Sequence, residues 1–372
     1  MSKLTRYKLS DLYEMSSGIS STKEQAGHGY PFVSFSTVFN NFFLPEELPD
    51  LMDTSSEEQE TFSVKKDDVF ITRTSETVDA LAMSCVAVKD YPKATFSGFV
   101  KRLRPKKKGI VYSRYIAFFL RSKYFRKVLD CNTIMTLRAS FNEDIFSFLY
   151  LYLPNYEEQV RIGDFLYKIE MKIRKNNKIN DNLEQQMHLI FENMMSKATT
   201  HKLPGKYTIA QNLTSVVTGK EDANFSVTNG KYKFFTCSNT PLLCDDYVFD
   251  SSSILIAGNG DFNVKHYSGM FNAYQRTYVL TPDKKYFALL YLASLYRINS
   301  FKSRSSGSIV KFITKSDVEN IPVFIPNDIS YLQELNKLIY LQEQNKLENE
   351  LLIKLRDWLL PMLMNGQATI SD

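Results

Sequence analysis

Cysteine and histidine are both scarce, with four of each in 372 residues. Cys85, Cys131, Cys237 and Cys244 offer one close pair, a C-x6-C spacing with no histidine nearby, which matches no common zinc site. Buried free thiols in a reducing compartment are the expectation. His28, His188, His201 and His266 are scattered and form no helical pair for a metal. No two prolines are adjacent, so the Asn/Asp-Pro-Pro-aromatic element that holds a target amine in methyltransferases is missing. Charged pairs of the kind a nuclease uses, such as Asp283-Lys284, arise freely in any charged sequence. No apolar run reaches the ~18 residues of a membrane span. Met1-Ser2-Lys3-Leu4-Thr5 has no apolar stretch behind its charge, so no signal peptide is read. These absences predict a cytoplasmic protein with no catalytic centre, metal or cofactor of its own.

What is present is core material: 44% hydrophobic residues, including 27 Phe and 22 Tyr, enough for two or three domains. The net charge of +5 permits nucleic-acid binding without arguing for it. The positive charge is locally concentrated, since residues 101–127 hold eleven Lys or Arg and no Asp or Glu.

The most informative feature is an internal repeat of long period. Tyr7-Lys8-Leu9-Ser10-Asp11-Leu12, then Gly18, is answered by Tyr207-Thr208-Ile209-Ala210-Gln211-Asn212-Leu213, then Gly219. Asp68-Val69-Phe70-Ile71-Thr72-Arg73 is answered by Ser253-Ile254-Leu255-Ile256-Ala257-Gly258, each reading as a short buried strand that runs into a polar loop. Residues 100–105 answer 277–282, Tyr115-Ile116-Ala117-Phe118-Phe119 answers Tyr286-Phe287-Ala288-Leu289-Leu290 with Arg126 against Arg297, and 148–155 answers 321–327. The separation falls from 200 residues at Tyr7/Tyr207 to 185 at Val69/Ile254 and 172 at Pro154/Pro326, so the second copy has shorter loops. The acidic stretch 46–60 has no counterpart, and Gly258-Asn259-Gly260 faces a copy-one loop without glycine.

A long helical pattern follows each copy. Ile162, Leu166, Ile169, Ile173, Leu183, Met187, Ile190 and Met194 recur at three- and four-residue steps, with Asn176 on the seam as a register-setting polar residue. In the second, Leu332, Leu335 and Ile339 give way to a polar patch near Asn345, and the seam is read to resume at Leu347, Leu351, Leu355, Trp358 and Met362. Each helix would be about 55 Å long, far beyond the length of an ordinary globular helix, so the two are expected to pair. The fold class expected is α/β: two similar mixed α/β domains separated by two long antiparallel helices in a coiled coil, with pseudo-two-fold symmetry. The boundaries read as 1–154 and 199–327 for the domains, 155–198 for the first helix, and 328–372 for the second helix and tail. Outer faces such as Tyr156, Phe165, Phe191 and Leu363 could accept helices from partners.

The joints carry a family resemblance. Tyr152-Leu153-Pro154-Asn155-Tyr156-Glu157-Glu158-Gln159 resembles the P-L-P-P-x-x-E-Q run that opens the first conserved helix of type I restriction–modification specificity subunits. Gly307-Ser308-Ile309-Val310-Lys311 with Asp317-Val318-Glu319-Asn320-Ile321-Pro322, and the tail Leu355-Arg356-Asp357-Trp358-Leu359-Leu360-Pro361 with Asn365-Gly366-Gln367, are similar to that family's later segments. Physically, proline ends the strand, Asn155 caps the helix, and Glu157 and Glu158 favour its positive end. The second joint, Pro326-Asn327-Asp328-Ile329-Ser330, lacks the Glu-Gln pair, and copy one has no equivalent of Gly307.

The resemblance implies two target-recognition domains that each read one half of a bipartite double-stranded DNA target. It implies helices that fix the spacing and bind two modification subunits, with restriction subunits joining through them. S-adenosylmethionine and ATP with magnesium would belong to those partners. The other reading of the repeat and the rod is a two-headed adaptor that binds proteins rather than DNA. For base contacts the sequence nominates Thr72, Arg73, Thr74 and Ser75 in copy one, with Asn259, Asp261, Gln275 and Arg276 in copy two, because Gln suits adenine and Arg guanine. For phosphates it nominates Lys101, Arg102, Arg104, Lys106, Lys107 and Lys108, with Lys302, Arg304 and Lys311. Arg126 and Arg297, on helices, read as structural.

Overall fold

A computed structural model of the chain describes residues 4–20, 22–75, 81–132, 139–260, 262–304 and 312–370. The chain divides into two units, Met1–Ile173 with Leu351–Asp372, and Arg174–Glu350. Two helices dominate the helical content, Tyr156–Thr199 and Ser330–Met364. The division into units falls inside both helices, so each unit holds a segment of each.

In the first unit the strand Val69–Thr72 pairs with Val100–Pro105 on one side and Ser84–Val86 on the other, and Tyr13–Ser17 completes a four-stranded sheet. Helices Ser113–Phe119 and Lys123–Asn132 pack on it. Tyr115, Ile116, Phe118 and Phe119 share a core with Val69, Ile71 and Leu103 and with Ile162, Leu166, Leu363 and Met364 from the long helices. Thr5–Lys8 pairs antiparallel with Tyr150–Leu153, closing the unit next to the first long helix. The acidic stretch without a counterpart forms the strand Asp50–Met52, which joins a second sheet, and the helix Ser56–Thr61, capped by Ser55.

The second unit repeats this plan. Phe249–Ala257 pairs with Thr277–Leu280 and Val264–Ala273 inside a six-stranded sheet, and Gly205–Ile209 pairs antiparallel with Pro322–Pro326. The helix Phe287–Arg304 takes the place of the two shorter helices. The strand matches read from the sequence hold to the residue: Val69, Phe70, Ile71 and Thr72 face Leu103, Arg102, Lys101 and Val100. Ile254, Leu255, Ile256 and Ala257 face Leu280, Val279, Tyr278 and Thr277 in the same order. Gly18 and Gly219 also correspond. A Cβ at Gly18 would lie 2.3 Å from the Phe96 carbonyl oxygen, and one at Gly219 would lie 1.9 Å from that of Ala273. Both glycines let a strand end pass against a neighbouring backbone.

The long helices pair antiparallel. In the second unit the Asn176 amide donates to Glu348 Oε2 at 2.7 Å and to Asn349 Oδ1 at 2.9 Å, and Asn349 donates to Asn177 Oδ1 at 2.8 Å. Asn345 donates to Asn180 Oδ1 at 2.9 Å. In the first unit Arg356 pairs with Glu170 at 3.1 Å and lies over the Phe42 ring. The seam of the first helix runs as its spacing predicts: Ile162, Leu166, Ile169, Ile173, Asn176, Leu183, Met187 and Met194 are buried, while Ile190 is partly so.

The second helix departs from its reading. Leu347, Leu351, Leu355 and Trp358 are exposed, Trp358 by 65%. The positions turned inward are Leu335, Gln342, Asn349, Arg356 and Leu363, a heptad spacing whose middle is polar. Hydrophobicity alone selects the outer face here. Phe191 and Leu363, expected as outer faces, are buried in the cores, and Phe165 is partly so.

Candidate nucleic-acid interface

Each unit ends in a tip where four chain segments lie side by side, joined by a corresponding set of main-chain hydrogen bonds. In the first unit, Gly98 N–H donates to Ile19 O at 2.7 Å, Val100 to Ser97 at 2.9 Å, Arg73 to Phe99 at 2.9 Å, and Phe141 to Arg73 at 2.8 Å. In the second, Gln275 donates to Glu221 at 2.9 Å, Thr277 to Tyr274 at 2.8 Å, Gly258 to Arg276 at 2.8 Å, and Ile313 to Gly258 at 2.8 Å. The two sets match bond for bond. They put Arg73 opposite Gly258, Phe99 opposite Arg276, and Phe141 opposite Ile313. Below each tip a capped helix begins: Asn142 caps Glu143–Phe148, and Thr314 caps Lys315–Glu319.

The tip of the second unit is braced by side chains. Asn263 donates to Cys237 O at 2.8 Å, and the Lys265 ammonium donates to Thr236 O at 3.3 Å and also to Ser238 O. Burial pulls the Lys265 ammonium below its usual range. Gln275 is exposed and donates to Asp222 Oδ1 at 2.6 Å, which leaves its carbonyl oxygen and one N–H uncommitted among the described residues. Arg276 is exposed, and its guanidinium makes no hydrogen bond to a described residue. Asn259 is half-buried on the adjoining loop.

The nominated residues fall into three groups. Arg73, Gln275 and Arg276 are exposed at the tips, with Thr74 beside them in the strand Thr74–Ser75; of Ser75 only the backbone is described. Thr72 is buried and its hydroxyl accepts from Met83 N at 3.0 Å, so it braces the tip rather than facing outward. Asp261 and Lys311 lie outside the described residues. Lys302 and Arg304 end the helix Phe287–Arg304, and their side chains also lie outside what is described.

The phosphate nominations on the strand Val100–Pro105 are corrected. This strand is flanked on both sides, and its charged side chains are spent inside the unit. Lys101 is buried and donates to Ser17 Oγ at 2.9 Å. Arg102 is buried, donates to Ser63 O at 2.6 Å and lies over the Phe96 ring. Arg104 forks onto Asp68, with Nε to Oδ1 at 2.7 Å and Nη2 to Oδ2 at 2.6 Å. Burial lowers the Arg102 pKa from its ordinary value, whereas the Asp68 hydrogen bond raises that of Arg104. Lys106 donates to Ser10 O at 2.8 Å. Lys107 and Lys108 are exposed and line a cavity of about 480 Å³ with Lys66, Arg114, Tyr112 and Tyr156. They follow the far end of the strand from Phe99, roughly 20 Å away at ~3.3 Å per residue, so the fold does not bring them to the tip.

Three features were not legible. Phe99 and Phe312 are each 67% exposed at the tips, where polar and charged chemistry gives no signal for an apolar ring. Gln159, read only as part of a joint motif, is buried and accepts from Tyr112 N at 3.0 Å while donating to Ile110 O at 3.0 Å and Pro154 O at 2.9 Å. Asn336 makes a similar clamp in the second unit, accepting from Ala288 N at 3.1 Å and donating to Lys285 O at 2.8 Å. The second joint thus replaces the missing glutamine from a position further along its helix. Asn155 caps the first helix as its sequence predicts, accepting from Glu158 N at 2.9 Å. Arg126, read as structural, donates to Leu81 O and to Ala82 O at 3.0 Å.

Among the described residues, no group of three or more His, Cys, Asp or Glu side chains is placed to hold a metal ion. Cys85, Cys237 and Cys244 form no disulfide among the described residues. No helix among the described residues is long and apolar enough to cross a membrane.

Comparison with known proteins gives concordant results. A family described as the type I restriction modification DNA specificity domain matches residues 1–185 and 206–356. The EcoDI specificity subunit of a type I restriction enzyme from Escherichia coli is 35% identical over 164 residues, 42% of this chain and 37% of that protein. The chain therefore matches well under half the length of that relative. The crystal structure of a type I restriction-modification system S subunit from M. genitalium covers 97% of this chain and 96% of its own, with a TM-score of 0.64 at 14% identity. At that identity the likeness is one of fold. The HsdS subunit from Thermoanaerobacter tengcongensis covers 98% of this chain and 97% of its own at 13% identity, with a TM-score of 0.38 that adds no further argument. With two matched stretches that take in most of its length, and a sheet-bearing unit under each, the chain belongs to the type I restriction modification DNA specificity domain family.

Proposed function

We propose that the chain reads a bipartite sequence in double-stranded DNA, one half with each unit, and supplies recognition to a type I restriction–modification complex without performing chemistry itself. The observation that carries this reading is the repeated tip. Two units hold four corresponding segments by corresponding main-chain bonds, yet set different side chains on them: Arg73 and Phe99 in one, Gln275 and Arg276 in the other. A constant frame with variable letters is what two half-sites of unlike sequence require. Arg73 and Arg276 suit guanine and Gln275 adenine. Thr74, Ser75, Asn259 and Asp261 are second-rank base contacts. Lys302, Arg304 and Lys311 are phosphate contacts that set affinity and salt dependence, while Lys107 and Lys108, away from the tip, add only longer-range attraction to the duplex.

Two modification subunits would seat helices on the outer apolar stripe of the second long helix, Leu351, Leu355 and Trp358, which the packing of the helix pair leaves uncovered. Those subunits would bring S-adenosylmethionine. Restriction subunits joined through them would bring ATP and magnesium. A cytoplasmic location follows from a DNA target.

The test is an exchange of residues 1–154 for the corresponding region of a relative with a different target, followed by mapping of methylated sites. One half of the recognised sequence should change and the other persist. A change in both halves overturns the modular reading. Affinity for DNA that does not fall as salt rises would favour a protein-binding adaptor instead.

A further inference from the structure

The side chain that the first unit presents where the second presents Arg276 is Phe99. The match rests on position: Phe99 O accepts from Arg73 N, as Arg276 O accepts from Gly258 N, and the turns on either side are closed by the same Gly98–Ile19 and Gln275–Glu221 bonds. Phe99 is 67% exposed, and no ring contact holds it in place among the described residues. The backbone frame does not need it, because Phe99 contributes only its N–H and carbonyl to the tip, the N–H pointing at Ser97 Oγ at 3.2 Å. Nothing in the packing of the first unit accounts for a large apolar ring here.

We propose that Phe99 is a base-reading residue of the first unit and takes the C5-methyl group of a thymine, at the register where Arg276 of the second unit takes a guanine. This rests on the reading of the tips as DNA-facing. Phe has no donor or acceptor, so among base edges in the major groove only the thymine methyl offers it a complementary surface. Arg73, hydrogen-bonded to the Phe99 carbonyl through its own backbone N–H, stands beside it and would take the neighbouring base or phosphate. The two units would then use one Arg each in different places, and the two half-sites would differ at the equivalent position.

The experiment titrates the full chain against duplexes that carry its methylation-mapped target, with each thymine of one half-site replaced in turn by uracil. Binding should weaken by about tenfold at one thymine. The Phe99→Ala variant should lose the same factor on the unmodified duplex and become indifferent to uracil at that position alone. Phe99→Leu should restore part of the discrimination. Phe99→Arg should shift the preference there towards guanine. The thermal midpoint of each variant should stay near that of the wild type, because the frame is main chain. If wild type is target-selective but Phe99→Ala binds as wild type does, or loses affinity equally for every duplex, Phe99 is no reader. If wild-type chain shows no selectivity for any duplex, the DNA-facing reading of the tips falls with it.

Discussion

Replacing Arg104 separates a structural cation from a DNA-binding one. Its guanidinium meets the Asp68 carboxylate through two hydrogen bonds, of 2.7 and 2.6 Å, and reaches Ser63 O at 3.0 Å. The Asp68 side chain is fully buried and keeps one other partner, Lys65 N–H at 2.8 Å. Arg104→Ala therefore strands a charge inside the first unit. Breaking such a pair costs about 3–5 kcal/mol in a dry site. The Arg104 side chain is 27% exposed, so water can enter behind it, and about 2–3 kcal/mol is the figure to expect here. For a unit of this size that is a fall of roughly 5–10 °C in thermal midpoint. The hydrogen bond raises the Arg104 pKa above its ordinary value. Stability from a raised basic group is present below its unfolded pKa and is lost only as pH climbs through the folded one. The deficit should thus be the same at about pH 7 and about pH 9. Circular dichroism measures the midpoint, and DNA titration across salt, well below it, measures phosphate contacts. Removing Asp68 as well should recover part of the loss, since neither charge is then left unpaired. An unchanged midpoint together with a salt slope shallower by about one would refute the argument and restore Arg104 as a phosphate contact.

Gln159→Ala removes an amide that closes three hydrogen bonds at a buried joint, at a cost of about 2–3 kcal/mol. Hydrogen exchange should show the Tyr112 amide losing protection ahead of the sheet, and equal protection would mean the clamp is redundant. Leu355→Glu with Trp358→Glu changes only exposed positions, so stability should move by less than about 0.5 kcal/mol per site. Co-purification with modification subunits should nonetheless be lost, and retention would show that they dock elsewhere.

Where apolar residues decide the structure, the sequence was legible. The strand Val69–Thr72 and the 254–257 end of Phe249–Ala257 keep the same register with their partners because both are buried and flanked on both sides, so a slip would expose a face. Asn176 was visible because it interrupts a regular seam. The second long helix was misread for the same reason in reverse: its inward face is Gln342, Asn349 and Arg356, satisfied by hydrogen bonds and an ion pair that no hydropathy pattern reveals. Charge misled on the strand Val100–Pro105, since Lys101, Arg102 and Arg104 look like a surface run until the pairing makes the strand a central one. At the tips, Arg73, Gln275 and Arg276 were nominated by their chemistry, and they stand exposed there. Phe99 and Phe312 were not nominated, because residue type does not foretell their exposure, which for Phe99 comes from the turn closed by Val100 and Ser97.

The main-chain bonds that hold the segments of each tip together bear on how such a protein can change. Amide-to-carbonyl bonds such as Arg73–Phe99 and Gly258–Arg276 are indifferent to what hangs from the Cα. Outward-pointing residues there can be exchanged almost like movable type in a fixed tray. A new target preference then needs a few codons and no compensating repair in the interior.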